Sequence, residues 1–123
     1  MKAYVVDDME DNRALLSKIL KGEGYEVETF GDGREFVTAI KRHGIDSKHV
    51  VFVDLKIPGM DGISVARQLR AMGFLGVIIA ITATKTAALK TEGLFDKVLG
   101  KPIRTNLLQQ IDFEALRKVR ASN

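Results

Sequence analysis

The feature that most limits what this chain can fold into is an alternation of short apolar runs with amphipathic segments. The apolar runs predict five strands, at residues 3–6, 25–29, 50–53, 77–81 and 98–99. Apolar residues at helical spacing predict five helices, within residues 14–20, 32–40, 63–72, 87–91 and from 103 onward. Such an alternation predicts a parallel sheet that is covered by helices on both faces.

The length of the chain and its predicted elements indicate one α/β domain. With 123 residues and no linker-like stretch, we expect a single domain over residues 1–123. Its fold class is a single doubly wound five-stranded parallel sheet in the order 2-1-3-4-5, with five helices. The last helix either runs unbroken to Val119 or restarts at Asp112 as a new N-cap.

Composition excludes several classes of site and partner. The chain has no cysteine, so it holds no disulfide or thiolate metal site, and the reducing cytoplasm is the default location. No apolar run approaches the ~20 residues that span a bilayer, so we expect no membrane partner. The formal charge of +3 comes mostly from scattered side chains, which argues against direct nucleic-acid binding.

Polar residues follow four of the five predicted strands, at the edge where parallel sheets bind ligands. They are Asp7, Asp8, Asp54, Thr82 and Lys101. Three carboxylates placed together favour a hard cation, and oxygen ligands with open positions favour Mg²⁺. Beside such an ion and a lysine, Asp54 can act as a nucleophile toward phosphorus, and Thr82 can donate to a phosphoryl oxygen.

Each of these residues also has an ordinary structural interpretation. Asp7 and Asp8 can cap a helix, Thr82 can be a loop threonine, and Lys101 can lie along the surface with its ammonium in water. Asp54 is harder to dismiss, because it directly follows a wholly apolar strand. The joint placement at consecutive strand ends favours a functional site.

Four segments resemble the response-regulator receiver domain, and the resemblance covers almost the whole chain. They are Val5-Val6-Asp7-Asp8, the run from Val53-Asp54 through Met60-Asp61-Gly62, Ile81-Thr82-Ala83, and Lys101-Pro102. The resemblance implies a flavodoxin-like fold and a phosphoacceptor role in a two-component or phosphorelay system. A histidine kinase or histidine phosphotransfer protein would phosphorylate Asp54. Such a domain catalyses only its own phosphorylation and dephosphorylation, so we do not expect a conventional enzyme.

The resemblance also implies a role for each site residue. Mg²⁺ would be bound by Asp8, Asp54 and the backbone carbonyl of Lys56, with Asp7 acting mainly through a water molecule. Lys101, the Thr82 hydroxyl and the Ala83 N–H would contact the phosphoryl oxygens. The peptide bond between Lys101 and Pro102 is expected to be cis.

The sequence departs from the family pattern at two positions. Val98 stands where a switch tyrosine or phenylalanine is usual, three residues before Lys101. Lys56 is unusual two residues after the phosphoacceptor; this position and Thr84 govern how long the phosphoryl group survives. An alternative function is therefore a degenerate receiver that binds proteins without phosphorylation.

Two other rivals fit less well. A phosphatase of the haloacid dehalogenase type would need an aspartate where Lys56 stands, and a nucleotide- or flavin-binding module would need a glycine-rich loop after the first strand.

The remaining expectations concern surfaces. No effector domain follows within this chain, so output would come through protein contacts with an unknown target. The protein would be a stand-alone regulator, a relay intermediate or the receiver of a hybrid kinase.

Dimerisation would use the face between the predicted helix at 87–91 and the last helix, near Leu89, Leu94 and Phe95, unless these residues pack in the core. His43 and His49 are predicted to be solvated loop residues.

Overall fold

A central parallel sheet organises the molecule. The computed structural model describes residues 1–83 and 93–122. Its strands are β1 (Lys2–Val6), β2 (Glu26–Phe30), β3 (Val50–Asp54), β4 (Val77–Thr82) and β5 (Lys97–Gly100). All neighbouring strands pair in parallel, in the order β2-β1-β3-β4-β5. The predicted fold class and strand order are confirmed.

Helices connect the strands and cover the sheet. Those within the described residues are α1 (Glu10–Gly22), α2 (Gly33–His43), α3 (Gly62–Ala71), α4 (Thr105–Gln109) and α5 (Phe113–Ser122). The open question about the end of the chain is resolved, because the helical segment breaks after Gln109. Asp112 then precedes α5 as its N-cap, and its Oδ1 accepts a hydrogen bond from the Ala115 N–H at 3.0 Å. The predicted helix at 87–91 lies outside the described residues.

Apolar side chains fill both faces of the sheet. Val51 and Val53 point to one face, where Phe36 of α2 and Leu69 of α3 pack against them. Phe52 points to the other face, where Leu16 of α1 belongs to the same buried cluster. Successive strand residues face opposite sides, so β3, which is buried along its whole length, contributes to both cores. Burial of each such side chain stabilises the fold by about 1.5–3 kcal/mol.

Backbone hydrogen bonds align the carboxyl ends of the strands. Beyond the paired strand residues, the Leu55 N–H donates to the Ile81 carbonyl at 3.0 Å, and the Lys101 N–H donates to the Thr82 carbonyl at 2.9 Å. The ends of β3, β4 and β5 therefore lie side by side at one edge of the sheet.

Gly62 allows α3 to approach the end of β3. A Cβ atom at this position would lie 2.4 Å from the Asp54 carbonyl oxygen and 2.7 Å from the Leu55 Cα, distances that no real side chain tolerates. The preceding residue, Asp61, caps the helix by accepting a hydrogen bond from the Ser64 N–H at 2.9 Å.

The prediction of solvated loop histidines is right in one respect for each residue: His43 is exposed but is the last residue of α2, and His49 lies in the loop before β3 but is not fully solvated. The His49 ring is half-buried, its Nδ1 accepts a hydrogen bond from the Lys2 N–H at 3.2 Å, and it meets the Tyr4 ring edge-on at 6.1 Å. The reason is that β1 and β3 are neighbours, which brings the residue before Val50 against the start of β1.

The residues proposed for a dimer face are placed only in part. Leu94 and Phe95 are half-buried and pack against the core beneath α2 and α3, so core packing accounts for them, while Leu89 lies outside the described residues. Within the described part of the chain, no helix is long and apolar enough to cross a lipid bilayer.

Candidate functional site

The carboxyl ends of β1 and β3 bring three carboxylates together. Asp7 and Asp8 follow β1, and Asp54 is the last residue of β3. One oxygen atom from each lies within 4.8 Å of the others. Asp7 and Asp54 are buried, whereas Asp8 is exposed. Three anionic groups this close repel one another unless a cation or a proton compensates them.

Asp7 is held by contacts from three directions. Its N–H donates to the Phe30 carbonyl at 3.0 Å, its Oδ1 accepts from the Met9 N–H at 2.9 Å, and its carbonyl accepts from Arg13 Nη1 at 2.7 Å. The second carboxylate oxygen, Oδ2, is buried and accepts no hydrogen bond from the residues that the structure describes. It has a longer ion-pair contact of 3.4 Å with Lys101 Nζ. This oxygen therefore keeps capacity to accept from the water of a bound cation.

Both carboxylate oxygens of Asp54 accept hydrogen bonds. Its Oδ1 accepts from the Lys56 N–H at 3.1 Å, and its Oδ2 accepts from Lys101 Nζ at 2.5 Å. Only 5% of Asp54 is exposed. The carboxylate is thus fixed in direction by one backbone group and one charged side chain, at the open edge of the sheet.

Lys101 brings positive charge to the acidic cluster. Burial by itself lowers the pKa of Lys101, but the hydrogen bond to Asp54 and the charges of Asp7 and Asp54 outweigh this effect, so the pKa is raised. Within the described residues, this one ammonium faces three carboxylates, and the site keeps an excess of negative charge. Oxygen ligands with excess negative charge fit a small, hard divalent cation such as Mg²⁺.

The other residues predicted for the site lie around the same edge. Thr82 ends β4 and is 2% exposed, and Ala83 follows it as an exposed residue. Lys56 is exposed beside Asp54. The bond between Lys101 and Pro102 is cis, as the resemblance implied. The edge therefore combines a buried carboxylate, a hydroxyl group and an ammonium group.

Two expectations concern positions around the site. Val98 lies half-buried in β5, where the family pattern has an aromatic residue. Thr84 lies outside the described residues.

One residue that shapes the site, Arg13, was not predicted, and a second, Gly62, was predicted only as part of a shaped loop beside Asp54. Arg13 holds the Asp7 carbonyl, and Gly62 lets α3 approach the Asp54 backbone. Arg13 carries a weak signal, since an arginine in the second turn of a helix can reach back to the loop before it. Gly62 has a stronger one, since the Pro58-Gly59-Met60-Asp61-Gly62 run already marks a shaped turn.

Comparisons with known proteins agree on one family. The model of the response regulator receiver domain family matches residues 3–112. The sensor histidine kinase RcsC of Salmonella typhimurium is 32% identical over 127 residues, covering 98% of this chain but 13% of the kinase. The DNA-binding response regulator MtrA of Mycolicibacterium paratuberculosis is 34% identical over 105 residues, covering 84% of this chain and 45% of MtrA. The chain thus spans less than half of these relatives.

Solved structures give the same result. The response regulator TrrA of Thermotoga maritima, in complex with Mg²⁺ and BeF, has a TM-score of 0.76 and 29% identity, covering 97% of this chain and 99% of TrrA. A CheY-like response regulator receiver domain from Methylobacillus flagellatus has a TM-score of 0.74 and 27% identity, covering 91% of this chain and 98% of its own.

Proposed function

Because this chain belongs to the response-regulator receiver family, we propose that it is the phosphoacceptor of a two-component or phosphorelay system, with Asp54 as the residue that is phosphorylated. The observation that carries this proposal is the arrangement of Asp54 itself. Its carboxylate is buried at the sheet edge, within 4.8 Å of the Asp7 and Asp8 carboxylates and bonded to Lys101. A nucleophile, a cation site and a fixed positive charge then lie together.

The proposed reaction transfers one phosphoryl group between proteins. A carboxylate oxygen of Asp54 forms a bond to phosphorus while the N–P bond of a partner's phosphohistidine breaks, and the bonding electron pair stays on the imidazole. The donor would be a histidine kinase or a histidine phosphotransfer protein. As a signalling phosphoacceptor, the domain would catalyse its own phosphorylation and dephosphorylation.

Three groups of the chain would hold Mg²⁺ directly. These are Asp8, Asp54 and the backbone carbonyl of Lys56, while Asp7 would act mainly through a water molecule. The bound ion would neutralise charge on the transferring oxygens. The buried Oδ2 of Asp7 supports this assignment, because among the described residues it accepts no hydrogen bond and has only the 3.4 Å ion-pair contact with Lys101, so a cation-bound water would give it a closer partner.

Lys101 and Thr82 would bind the phosphoryl group after transfer. The Lys101 ammonium, now 2.5 Å from Asp54 Oδ2, would pair with a phosphoryl oxygen. The Thr82 hydroxyl and the Ala83 N–H would donate to the others. Val98 lacks the aromatic ring that usually reports this change, so we propose that the change is read through movement of the segment at residues 82–93 and switches protein contacts.

The wider setting follows from the same proposal. Residues 1–123 would form one receiver domain in the cytoplasm, acting through a downstream protein and without direct contact to nucleic acid or membrane.

Phosphorylation by a small donor tests the proposal. The native protein and Asp54→Asn are incubated with acetyl phosphate, with and without Mg²⁺, and then measured by intact mass and peptide mapping. We expect a Mg²⁺-dependent gain of one phosphoryl group, located at Asp54 and lost in the variant. A folded native protein that gains no adduct would instead favour the phosphorylation-independent interaction module.

A further inference from the structure

Arg13 connects the first helix to the acidic cluster. It lies in the second turn of α1, and its Nη1 donates a 2.7 Å hydrogen bond to the backbone carbonyl of Asp7. A bond from a charged guanidinium to a carbonyl is stronger than one between neutral groups, and 2.7 Å is short for this type. Arg13 is half-buried, so water competes only partly for this contact.

Local geometry brings the guanidinium to this position. Side chains on a helix lean toward its N-terminus, so a long side chain from Arg13 reaches back over the start of α1. Gly31, which follows β2, lies beside the guanidinium, since a Cβ there would be 3.1 Å from Arg13 Nη1, a tight contact that the arginine would have to accommodate by a small shift. The guanidinium therefore lies between the start of α1 and the end of β2.

The bond holds the peptide unit that joins two of the carboxylate residues. The Asp7 carbonyl and the Asp8 nitrogen belong to this planar unit, so a fixed carbonyl also fixes the positions of the Asp8 nitrogen and Cα, from which the side chain starts. The Phe30 carbonyl holds the N–H of Asp7, and the Met9 N–H holds its Oδ1. Among the described residues, Arg13 adds a further restraint on this turn, on the side of Asp8.

We propose that Arg13 is a positioning residue for the cation site, which it serves by holding the Asp7–Asp8 peptide unit so that the two carboxylates face the ion. This inference rests on the proposed function, because it requires that the acidic cluster binds Mg²⁺. Arg13 does not touch the ion itself. It acts through the peptide unit between Asp7 and Asp8.

The sign of the effect separates positioning from simple electrostatics. A guanidinium near a divalent cation repels it, so a purely electrostatic role predicts that removing Arg13 strengthens Mg²⁺ binding. A positioning role predicts the opposite, because misdirected ligands bind more weakly. Loss of a residue that orients metal ligands typically costs about 10-fold or more in affinity.

The test measures Mg²⁺ affinity in Arg13→Met, Arg13→Lys and the native protein. Arg13→Met keeps the length of the side chain but removes its charge and its donors, and Arg13→Lys keeps charge and one donor group. Lys18→Met, at an exposed position on the same helix, is the control for loss of one positive charge. Affinity is read from the Asp8, Asp54 and Lys56 amide signals in ¹H–¹⁵N NMR spectra during titration with MgCl₂. The same spectra show whether each variant is folded.

We expect Arg13→Met to raise the Mg²⁺ Kd about 10-fold, Arg13→Lys to restore part of the loss, and Lys18→Met to leave it close to native. Should Arg13→Met fail to fold, a weaker Kd in folded Arg13→Lys still supports the proposal, and a native Kd there overturns it. Unchanged or tighter binding in Arg13→Met overturns the inference alone. A native protein whose site amides ignore Mg²⁺ overturns both this inference and the proposed cation site.

Discussion

At the scale of single residues, charge balance dominates the site. Asp7 and Asp54 are buried and share the ammonium of Lys101, and Asp8 adds a third negative charge nearby. Buried ionised groups are costly unless they are paired, and here three carboxylates have one ammonium group between them among the described residues. Binding of a cation would lower this cost, whereas binding of a neutral ligand would not.

Lys56 is the residue whose variation we expect to change the phosphoryl lifetime. It is exposed two positions after Asp54, where its ammonium can pair with phosphoryl oxygens and obstruct the approach of water. We predict that Lys56→Asn shortens the phosphoryl half-life several-fold. The measurement is the decay of the phosphorylated protein, followed by intact mass. Lys48→Asn is the control, because Lys48 is exposed near the opposite end of β3. Equal half-lives in the native protein and Lys56→Asn would discard the hypothesis.

His49 is expected to make stability depend on pH. Burial lowers the pKa of His49 from 6.5, as do the positive N-terminus and Lys2, against the opposing charges of Asp46 and Glu26. A lowered pKa means that the folded state prefers the neutral ring, whose Nδ1 accepts from the Lys2 N–H. The contribution of His49 to the free energy of unfolding should thus be fully present above pH 6.5 and should decrease as the pH falls through the lowered pKa.

Urea unfolding of the native protein and His49→Gln between about pH 8 and pH 5 checks this prediction, because the glutamine does not titrate. The two proteins should differ in the slope of stability against pH below the ordinary histidine pKa. Parallel curves would show that other groups cause the pH dependence.

At the scale of elements, the break between α4 and α5 realises one of the two alternatives that the sequence left open. It lets Phe113, the first residue of α5, pack edge-on against the Phe52 ring at 6.0 Å and the Tyr25 ring at 5.7 Å. An unbroken helix would keep its own direction and would not follow the sheet in this way. Aromatic pairs of this geometry contribute about 0.5–1.5 kcal/mol beyond the area that they bury.

Asp112 is expected to stabilise α5 as its N-cap. Its Oδ1 accepts from the Ala115 N–H, a donor that has no partner within the helix. We predict that Asp112→Ala lowers the free energy of unfolding by about 1 kcal/mol. Equilibrium urea denaturation measures the change, and Lys118→Ala, at an exposed position of α5, should leave stability nearly native. A loss confined to the control would contradict the assignment.

At the scale of the whole molecule, one carboxylate joins elements that are distant in sequence. Asp96, just before β5, accepts from the Ile78 N–H at 2.8 Å, from Arg70 of α3 at 3.0 Å and from Arg120 of α5 at 2.6 Å. Burial and the charge of Arg120 lower the pKa of Arg70 to about 10, although Asp96 opposes this. Asp96 thus compensates two cations that lie close together.

Asp96→Ala should destabilise the whole fold. It removes the carboxylate partner of two largely buried guanidinium groups, which keep backbone carbonyl acceptors, and it removes the acceptor of the Ile78 N–H. Breaking buried pairs of this kind costs about 3 kcal/mol. The measurement is the free energy of unfolding in urea. Glu114→Ala is the matched control, since it removes an exposed ion pair with Arg117 that is worth about 1 kcal/mol or less. Equal losses in the two variants would contradict the role of Asp96.

Much of the site could be predicted because its signals are local. Asp54 follows four apolar residues, and the strand order alone places it beside Asp7 and Asp8. Arg13 and Asp96 escaped prediction because their contacts depend on side-chain reach across elements. The partial burial of His49 escaped prediction because its loop position in the sequence says nothing of the neighbouring strand that partly buries it.

Local pattern was enough to predict the fold class, the edge of the sheet that carries chemistry and the residue types at that edge, because hydrophobic periodicity and parallel connections act over short stretches of chain. Tertiary contacts were needed to show that Oδ2 of Asp7 accepts no hydrogen bond from the described residues, that Arg13 holds the Asp7 carbonyl and that the last helix breaks after Gln109. These depend on distances of a few tenths of an ångström between residues far apart in the chain. Such distances are set by the packing of the two cores, which no local pattern encodes.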